Sequence, residues 1–449
     1  MRGAKACYEC RVSKRRCQAS GPETKACQQC IQRRTECSFN HITRSVATLA
    51  VRPDDTTAPA DPLSLPLSSR FEVVELYLKY IHDKPHTLFH SPTVRSAVQD
   101  ESISLVLLFG MLALGARFST DDAIKARMED FAAESRRRLK ENIEHASIET
   151  VQACILNAEV FNGNANREGE CLYLGIAIRM SQYLRLDLPV DGESDVDREC
   201  RLRVFWTCKI VDIWGGAGFG VPLQIHPDKS PRLPMAEEDF ESLSTGQISC
   251  LELNQRLGIW ACMCKLTPAL QKIRTLHEGL VRGHTDPQKA ETLVLETAKE
   301  LDYFASTLPA HLQLTDQNLQ LYAHRSTGQT FVAMHLAFFH YSTLLYFHYL
   351  DRPRPPPAFD EVFAARCKNY ATAFSELIQT SMELPGCEAV YAIVGHLTCV
   401  SSSVLIHTLL FGEEHQIIQA RHRLEINFNK ILLLSKLWPG MESVVSDWT

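Results

Sequence analysis

The apolar positions from residue 70 onward recur with the period of amphipathic helices. One run has its apolar residues at i, i+3, i+7 and i+10 and consists of Phe71, Val74, Leu78 and Ile81. Pro85 ends this run, because proline lacks the N–H that an α-helix requires. A second run of similar spacing consists of Leu172, Ile176, Met180 and Tyr183. Since no alternating strand pattern with hairpin turns is evident, we predict an all-α domain over residues 70–449.

Residues 41–69 lack a helical period and separate the helical part from the N-terminal region. The prolines of this stretch recur among Asp, Thr, Ser and Ala, and they are Pro53, Pro59, Pro62 and Pro66. Because this density of proline disfavours a helix, we predict a flexible, extended linker. The stretch contains no sustained apolar heptad, so a coiled-coil dimerisation helix is not expected there.

Two long segments of the helical part, residues 331–350 and 389–412, contain no Lys, Arg, Asp or Glu. Each is long enough to span a bilayer. They also carry polar side chains, namely His335, His340, His348, His396, Ser401, Ser402, Ser403 and His407. Because intramembrane polar groups are costly, we prefer buried or ligand-lining helices of a globular domain, with membrane spanning as the alternative.

The N-terminal region contains a cysteine repeat. Two Cys-x2-Cys-x6-Cys units, offset by 20 residues, are formed by Cys7, Cys10, Cys17, Cys27, Cys30 and Cys37. Six thiolates at such spacing are typical of zinc sites. A disulfide framework is the alternative, but the first residues have no apolar segment of a secretory signal. A redox Cys-x-x-Cys would not require a second copy with a matched third cysteine.

The number of sulfurs limits how zinc can be held. Two tetrahedral zinc ions have eight ligand positions, and six sulfurs fill them only if two sulfurs bridge both metals. The symmetry of the repeat predicts that the bridging thiolates occupy equivalent positions. We therefore expect two Zn²⁺ per chain.

The repeat resembles the fungal six-cysteine binuclear zinc cluster transcription factors. The residues that carry the match are ACYECRVSKRRC at 6–17 and CQQCIQRRTEC at 27–37. The resemblance implies a small module with two short helices that binds double-stranded DNA containing a CGG triplet. Lys14 matches the lysine with which the family reads a base, whereas Ser13 stands where members usually carry a basic residue.

The family's metal arrangement carries over cysteine by cysteine. Its first and fourth cysteines bridge the two metals, which implies Cys7 and Cys27 in this chain. The resemblance then assigns Cys10 and Cys17 to one zinc. The other zinc would be completed by Cys30 and Cys37.

Charge indicates what the N-terminal module contacts. Residues 1–40 hold nine Lys and Arg against three Glu, a formal charge of +6, whereas residues 41–449 carry −12. Six thiolates and two zinc ions leave the module at about +4, which is typical of phosphate binding. The candidate DNA contacts are Arg11, Lys14, Arg15, Arg16, Arg33 and Arg34. The alternative is a solvated basic face, with a role in nuclear import for residues 14–16. DNA binding and nuclear import are compatible roles for the same basic residues.

The helical part resembles the middle homology or regulatory domain of the same family. The matching stretches, in order, are 107–119, 173–180, 201–206 and 237–240. Together the two resemblances imply a zinc cluster domain over 1–40, a linker over 41–69 and a helical regulatory domain over 70–449.

Two further patterns have structural explanations. Three histidines at four-residue spacing, which on one helix would suit a metal, are His82, His86 and His90. Pro85 breaks that helix, so a metal site is not favoured there.

The glycine-rich run at 216–220 is followed by Pro222 and Pro227, so we predict a turn after a helix and not a nucleotide-binding loop.

The other cysteines and the composition are those of an intracellular globular protein. Ten further cysteines are scattered, mostly among apolar neighbours, which is typical of reduced intracellular thiols. They are Cys154, Cys171, Cys200, Cys208, Cys250, Cys262, Cys264, Cys367, Cys387 and Cys399. With 45% hydrophobic and 22% charged residues, the chain is typical of globular proteins and not of disordered ones. No catalytic motif stands out.

These observations predict a nuclear, sequence-specific DNA-binding transcription factor of the RNA polymerase II type that is not an enzyme. A metabolic or secondary-metabolite pathway is the candidate target. Partners left open are a second copy of the chain, and a small effector or co-regulator on the helical domain; no membrane partner is expected. The alternatives are a zinc module that binds RNA or protein, and an enzyme housed in the helical domain.

Overall fold

A computed structural model describes Cys10, Cys17 and residues 27–33, 65–84, 86–226, 231–248, 256–283, 286–350 and 360–441, without the side chains at 216, 217, 219 and 360. The chain divides into two units, Met1–Asp61 and Pro62–Thr449. Every helix or strand element assigned in the described residues is a helix, and no strand occurs among them, which confirms the all-α class. The predicted domain boundaries near 40 and 70 stay predictions.

The α-helices follow one another along the chain with short connections. They are α1 (Gln28–Arg33), α2 (Leu67–Tyr80), α3 (Ser91–Gln99), α4 (Leu105–Gly115), α5 (Asp122–Lys125), α6 (Met128–Asn142), α7 (Ile148–Gly163), α8 (Arg167–Tyr183), α9 (Asp195–Phe219), α10 (Glu237–Glu241), α11 (Ile259–Arg282), α12 (Pro287–Thr307), α13 (Asp316–His324), α14 (Gly328–Tyr346), α15 (Asp360–Glu383), α16 (Ile393–Phe411) and α17 (Glu414–Leu437). Short 3₁₀ turns are Ala116–Phe118, Ala310–Leu312, Phe347–Leu350 and Pro439–Met441.

Helix α4 lies at the centre of the larger core. Its sequence LVLLFGMLALG is apolar on every side, which is the pattern of a helix buried all round. It packs against α2, α6 and α7. A Cβ atom at Gly115 would lie 2.2 Å from the carbonyl oxygen of Val73, so only glycine permits this close approach of α2 and α4.

The predicted helix over residues 70–81 is confirmed. Helix α2 follows Pro66 and ends at Tyr80, before Pro85. Val74, Leu78 and Ile81 are buried, as the spacing of apolar residues predicts.

The second predicted run lies in helix α8, but only its two middle residues, Ile176 and Met180, are partly buried against the core. Leu172 is 60% exposed and Tyr183 is 77% exposed. The buried residues of α8 are Tyr173, Leu174, Ala177, Ile178 and Ser181. Both sides of this helix satisfy the spacing, and the small Ala177 and Ser181 allow α8 to pack closely on its neighbours. Periodicity alone does not choose between the two sides.

The glycine-rich run at 216–220 also differs from its prediction. Helix α9 continues to Phe219, so Gly216 and Gly218 lie within the helix and not in the turn that follows. Gly220 has φ 68°, the left-handed conformation in which helices commonly end. The helix therefore ends at the last glycine of the run.

The two uncharged segments form α14 with its following 3₁₀ turn, and α16. Helix α14 is buried along most of its length. Among the described residues, α16 is the one helix whose length and composition would suit a membrane span, and half of its apolar window is buried inside the protein. A core helix would have these same properties, so they are weak support for a membrane.

Candidate metal and DNA-binding site

Three cysteines from both halves of the repeat converge in the N-terminal unit. The sulfur atoms of Cys10, Cys17 and Cys27 all lie within 4.8 Å of one another. The Sγ atoms of Cys10 and Cys27 are 3.6 Å apart, and both residues are buried. In the described residues, this is the one group of three or more His, Cys, Asp or Glu side chains arranged to share a metal ion.

The spacing of these sulfurs fits a tetrahedral zinc site. Two thiolates bound to one zinc at about 2.3 Å lie roughly 3.8 Å apart. The 3.6 Å between Cys10 and Cys27 is close to this value and far longer than the bond of about 2.05 Å in a disulfide. Soft thiolate donors also match the preference of zinc. The residues present therefore fit the metal that the cysteine spacing predicts.

Helix α1 explains why the second Cys-x2-Cys pair shares one side. The N–H of Ile31 donates to the carbonyl of Cys27 at 3.1 Å, so the helical turn begins at this cysteine. Residues three apart lie on the same face of a helix. Cys30 is accordingly buried next to Cys27 and Cys10, whereas Ile31 is 50% exposed on the outer side.

The structure places part of the predicted site. Arg33 lies exposed in the last turn of α1, where a basic side chain can reach a phosphate. The predicted site residues that lie outside the described residues are Cys7, Arg11, Lys14, Arg15, Arg16, Arg34 and Cys37. Their roles stay predictions.

The three spaced histidines of the helical unit do not form one helical face. Helix α2 ends at Tyr80, and His82 Nε2 accepts hydrogen bonds from the backbone N–H groups of Leu88 and Phe89 at 3.2 and 3.1 Å. His86 Nε2 lies 2.9 Å from the Tyr77 hydroxyl, and burial lowers the pKa of His86.

The third histidine of this set has its own local partner. His90 Nδ1 lies 2.7 Å from the Thr93 hydroxyl at the start of α3. Each imidazole thus takes part in internal hydrogen bonding, and no metal site is favoured here.

A buried ion-pair network, which periodicity does not predict, lies in two of the stretches that carry the helical resemblance. Arg203 Nε donates to Glu199 Oε1 at 3.1 Å, and its Nη2 donates to the carbonyl of Met235 at 2.7 Å. The Arg203 guanidinium also lies 4.4 Å from the ring centre of Phe240. These contacts attach the segment before α10 to the middle of α9.

Glu237 extends this network to the next long helix. Its two carboxylate oxygens accept the backbone N–H groups of Ile259 and Trp260 at 2.9 and 2.8 Å, which caps the start of α11. Burial raises the pKa of Glu237, and the nearby Arg203 opposes that effect. Both charged residues lie in charge-rich stretches, DVDRECRLR at 195–203 and EEDFE at 237–241, so the sequence alone does not single them out as buried.

Two family models match the chain. A "Fungal Zn(2)-Cys(6) binuclear cluster domain" matches residues 5–45, and a "Fungal specific transcription factor domain" matches residues 74–306. The chain belongs to the fungal-specific transcription factor family. The cluster match implies zinc binding, in agreement with the three converging cysteines.

Curated transcription factors and transcriptional regulators are similar to the chain over most of its length. The "Zn(2)-C6 fungal-type transcription factor FTF1c" of Fusarium oxysporum f. sp. lycopersici is 22% identical over 408 residues, covering 82% of this chain and 43% of the relative. The "Uncharacterized transcriptional regulatory protein C1327.01c" of Schizosaccharomyces pombe is 23% identical over 339 residues, covering 68% and 35%. The chain thus spans less than half the length of these two relatives.

Proposed function

We propose that this protein is a sequence-specific, double-stranded-DNA-binding regulator of transcription by RNA polymerase II, with two Zn²⁺ in its N-terminal cluster. The observation that carries the proposal is the position of Cys27, which belongs to the second half of the repeat yet lies among the sulfurs of the first. A shared thiolate between two metals requires this arrangement.

The proposed ligand set follows the cysteine repeat. Cys7 and Cys27 bridge the two metals, Cys10 and Cys17 complete the first site, and the second is completed by Cys30 and Cys37. Bound zinc supplies cross-links to a module too small for a hydrophobic core of its own. The 3.6 Å between Cys10 and Cys27 supports placing both on one metal.

The basic residues divide into two roles. Lys14 donates to the O6 and N7 acceptors of a guanine in a CGG triplet, since this acceptor pair distinguishes G·C in the major groove. The phosphate contacts come from Arg11, Arg15, Arg16, Arg33 and Arg34. Arg33 supports this role, because it is exposed at the end of α1 and carries a charge that phosphates attract.

We assign residues 1–40 to the DNA-binding module, 41–69 to a flexible linker and 70–449 to a regulatory domain that acts in the nucleus. The acidic balance of the long C-terminal part, −12, supports restricting nucleic acid contacts to the module.

Random-site selection with the full zinc-loaded chain tests the proposal. We expect enrichment of CGG triplets, and the number and spacing of triplets reveals how many subunits bind. Removing zinc with a chelator before selection abolishes the enrichment. No sequence preference among duplexes would favour an RNA- or protein-binding module instead. A preference that survives chelation would place DNA recognition outside the zinc cluster.

A further inference from the structure

Two histidines from different helices approach each other in the helical unit. His340 lies in α14 and His396 lies in α16, and these two helices pack together. The ring centres are 5.9 Å apart and the ring planes are inclined at 69°, so the rings are not stacked face to face. Because both nitrogens of an imidazole lie on the edge of the ring, this arrangement can direct lone pairs from two side chains toward one point.

His340 has an unsatisfied nitrogen in the protein interior. The residue is 2% exposed, and its Nε2 atom has no hydrogen-bond partner among the residues that the structure describes. Buried polar atoms are nearly always hydrogen-bonded, so an isolated one calls for an occupant such as a water molecule or an ion. Burial also lowers the pKa of His340, which keeps the ring neutral and its lone pair available at neutral pH.

Trp214 of α9 contacts both imidazoles and restricts how they turn. Its indole stacks on His340 with ring centres 5.2 Å apart and planes inclined at 14°. The same indole meets His396 in a T-shaped arrangement at 6.3 Å. Trp214 is itself held in place, because its Nε1 donates to the Tyr341 hydroxyl at 3.1 Å. The pair of imidazoles is therefore preorganised by packing.

We propose that His340 and His396 together bind a divalent transition-metal ion of the class that imidazole prefers, such as Zn²⁺, Ni²⁺ or Cu²⁺. Two imidazoles bound to one metal at about 2.0–2.1 Å have ring centres roughly 5–6.5 Å apart, depending on the angle at the metal. The observed 5.9 Å lies within this range. A metal between the rings satisfies Nε2 of His340, which no hydrogen bond in the described residues does.

Solvent completes the coordination of this ion. Within the described part of the chain, no third His, Cys, Asp or Glu side chain joins the pair at ligand spacing. His277 on α11 is already engaged, because its Nε2 lies 2.9 Å from the carbonyl oxygen of Leu344. His396 is exposed, so water reaches the open positions of the metal. With two protein ligands and open positions, the ion exchanges with solvent, unlike an ion in a closed structural site.

The bound ion links two long helices of the core. Since the two imidazoles come together only in the folded chain, metal binding stabilises the folded state by mass action. We therefore expect the helical unit to unfold at a higher temperature when the metal is present. This role is separate from the cysteine cluster and from DNA recognition.

Native mass spectrometry of the full zinc-loaded chain titrated with Ni²⁺ tests the site, because mass distinguishes an added nickel from an exchanged zinc. We expect one nickel ion per chain in addition to the metal of the cluster. Tryptophan fluorescence falls as this ion binds, because Trp214 contacts both imidazoles. His396→Ala loses the added ion and the accompanying quenching. The matched control is His422→Ala at an exposed position of α17, which retains both.

His340→Phe tests the buried ligand. Phenylalanine keeps an aromatic ring against Trp214 and removes both nitrogens. We expect this variant to keep the circular dichroism spectrum of the wild-type chain and to lose the added nickel. The exposed His396→Ala change decides the question by itself if the buried substitution disturbs folding.

The proposal is overturned if the wild-type chain takes up no additional nickel, or if His396→Ala takes up as much as the wild-type chain. Loss of the ion in His396→Ala with full retention in a folded His340→Phe chain would assign the metal to the surface of α16 alone and overturn the bridging pair. All of the chains compared carry the same cysteine cluster and no DNA, so failure to select CGG sites leaves these outcomes unaffected.

Discussion

Cys27 is the residue at which the two halves of the cysteine repeat meet. It begins the second Cys-x2-Cys-x6-Cys unit, yet its sulfur lies within 4.8 Å of those of Cys10 and Cys17 in the first unit. Its carbonyl also accepts the first hydrogen bond of α1. The residue therefore connects the metal site to the helix that carries Arg33.

We predict that Cys27→Ala disrupts both metal sites, because a bridging thiolate serves two zinc ions. Cys10→Ala removes a ligand from one site and damages mainly that site. Native mass spectrometry of the full chain counts the zinc in each variant. A wild-type chain with a single zinc, or a Cys27→Ala chain with one fully occupied site, would contradict the shared-thiolate arrangement.

Lys14→Ala and Arg33→Ala separate base reading from phosphate binding. Losing a base contact at Lys14 costs about 1–3 kcal/mol on a CGG duplex and much less on a scrambled one. Arg33→Ala weakens both duplexes about equally and lowers the salt dependence, because phosphates carry no sequence information. Fluorescence anisotropy across a salt series measures both effects. Equal losses on the two duplexes for Lys14→Ala would show that Lys14 is one more phosphate contact.

Glycine and buried charge set how the helices of the helical unit approach one another. Gly115 brings α4 against the backbone of α2, and Arg203 attaches α9 to the segment before α10. Glu199, which pairs with Arg203, is itself fully buried. The pair lies in α9 against the segment before α10, and losing either partner would leave an uncompensated charge in the core.

Gly115→Ala is expected to destabilise the helical domain by about 1–3 kcal/mol, the usual cost of overpacking a core. Its new Cβ would clash with the carbonyl oxygen of Val73 at 2.2 Å and force α2 away from α4. The control is Gly218→Ala in α9, where a Cβ meets nothing within 4 Å and no stability is lost. Urea unfolding compares the two variants; equal midpoints would refute the close-approach argument.

How far the sequence predicts these elements depends on the kind of signal. The spacing of Val74, Leu78 and Ile81 predicts the buried face of α2, and all three residues are buried. Helix α8 has apolar residues on two sides, so tertiary contacts and not periodicity decide that Leu172 stays exposed. The cysteine spacing predicts a zinc site because metal ligands must meet at fixed distances. Glu199 and Arg203 are four residues apart in α9, so helical spacing can suggest their pairing, but their burial and the contact of Arg203 with Met235 depend on tertiary packing.

In the helical unit as a whole, several imidazoles are buried and resist protonation. Burial lowers the pKa of His335 and of His348 to about 4. His340, stacked on Trp214 at 5.2 Å, has a pKa lowered well below its ordinary value by burial. The folded domain therefore holds these histidines uncharged at pH values where the unfolded chain takes up protons.

We predict that the free energy of unfolding falls as pH drops from 6.5, the ordinary histidine pKa, toward about 4, where the folded-state groups begin to titrate. His340→Phe reduces this loss, because it replaces a buried titratable ring with an apolar one. His422→Phe, at an exposed position of α17, is the control and leaves the pH dependence unchanged. Urea midpoints at a series of pH values provide the measurement; a flat profile for the wild-type chain would refute the effect.

We propose that zinc held by the cysteine cluster gives this protein a preference for CGG-containing duplex DNA. The most direct measurement is the anisotropy of a labelled CGG duplex and of its scrambled counterpart, titrated with the full chain before chelation, after chelation and after zinc is restored. We predict tighter binding to the CGG duplex than to the scrambled one, a difference that disappears when zinc is removed and returns when zinc is restored. Equal affinity for the two duplexes, or a preference that persists without zinc, would contradict zinc-dependent recognition of CGG.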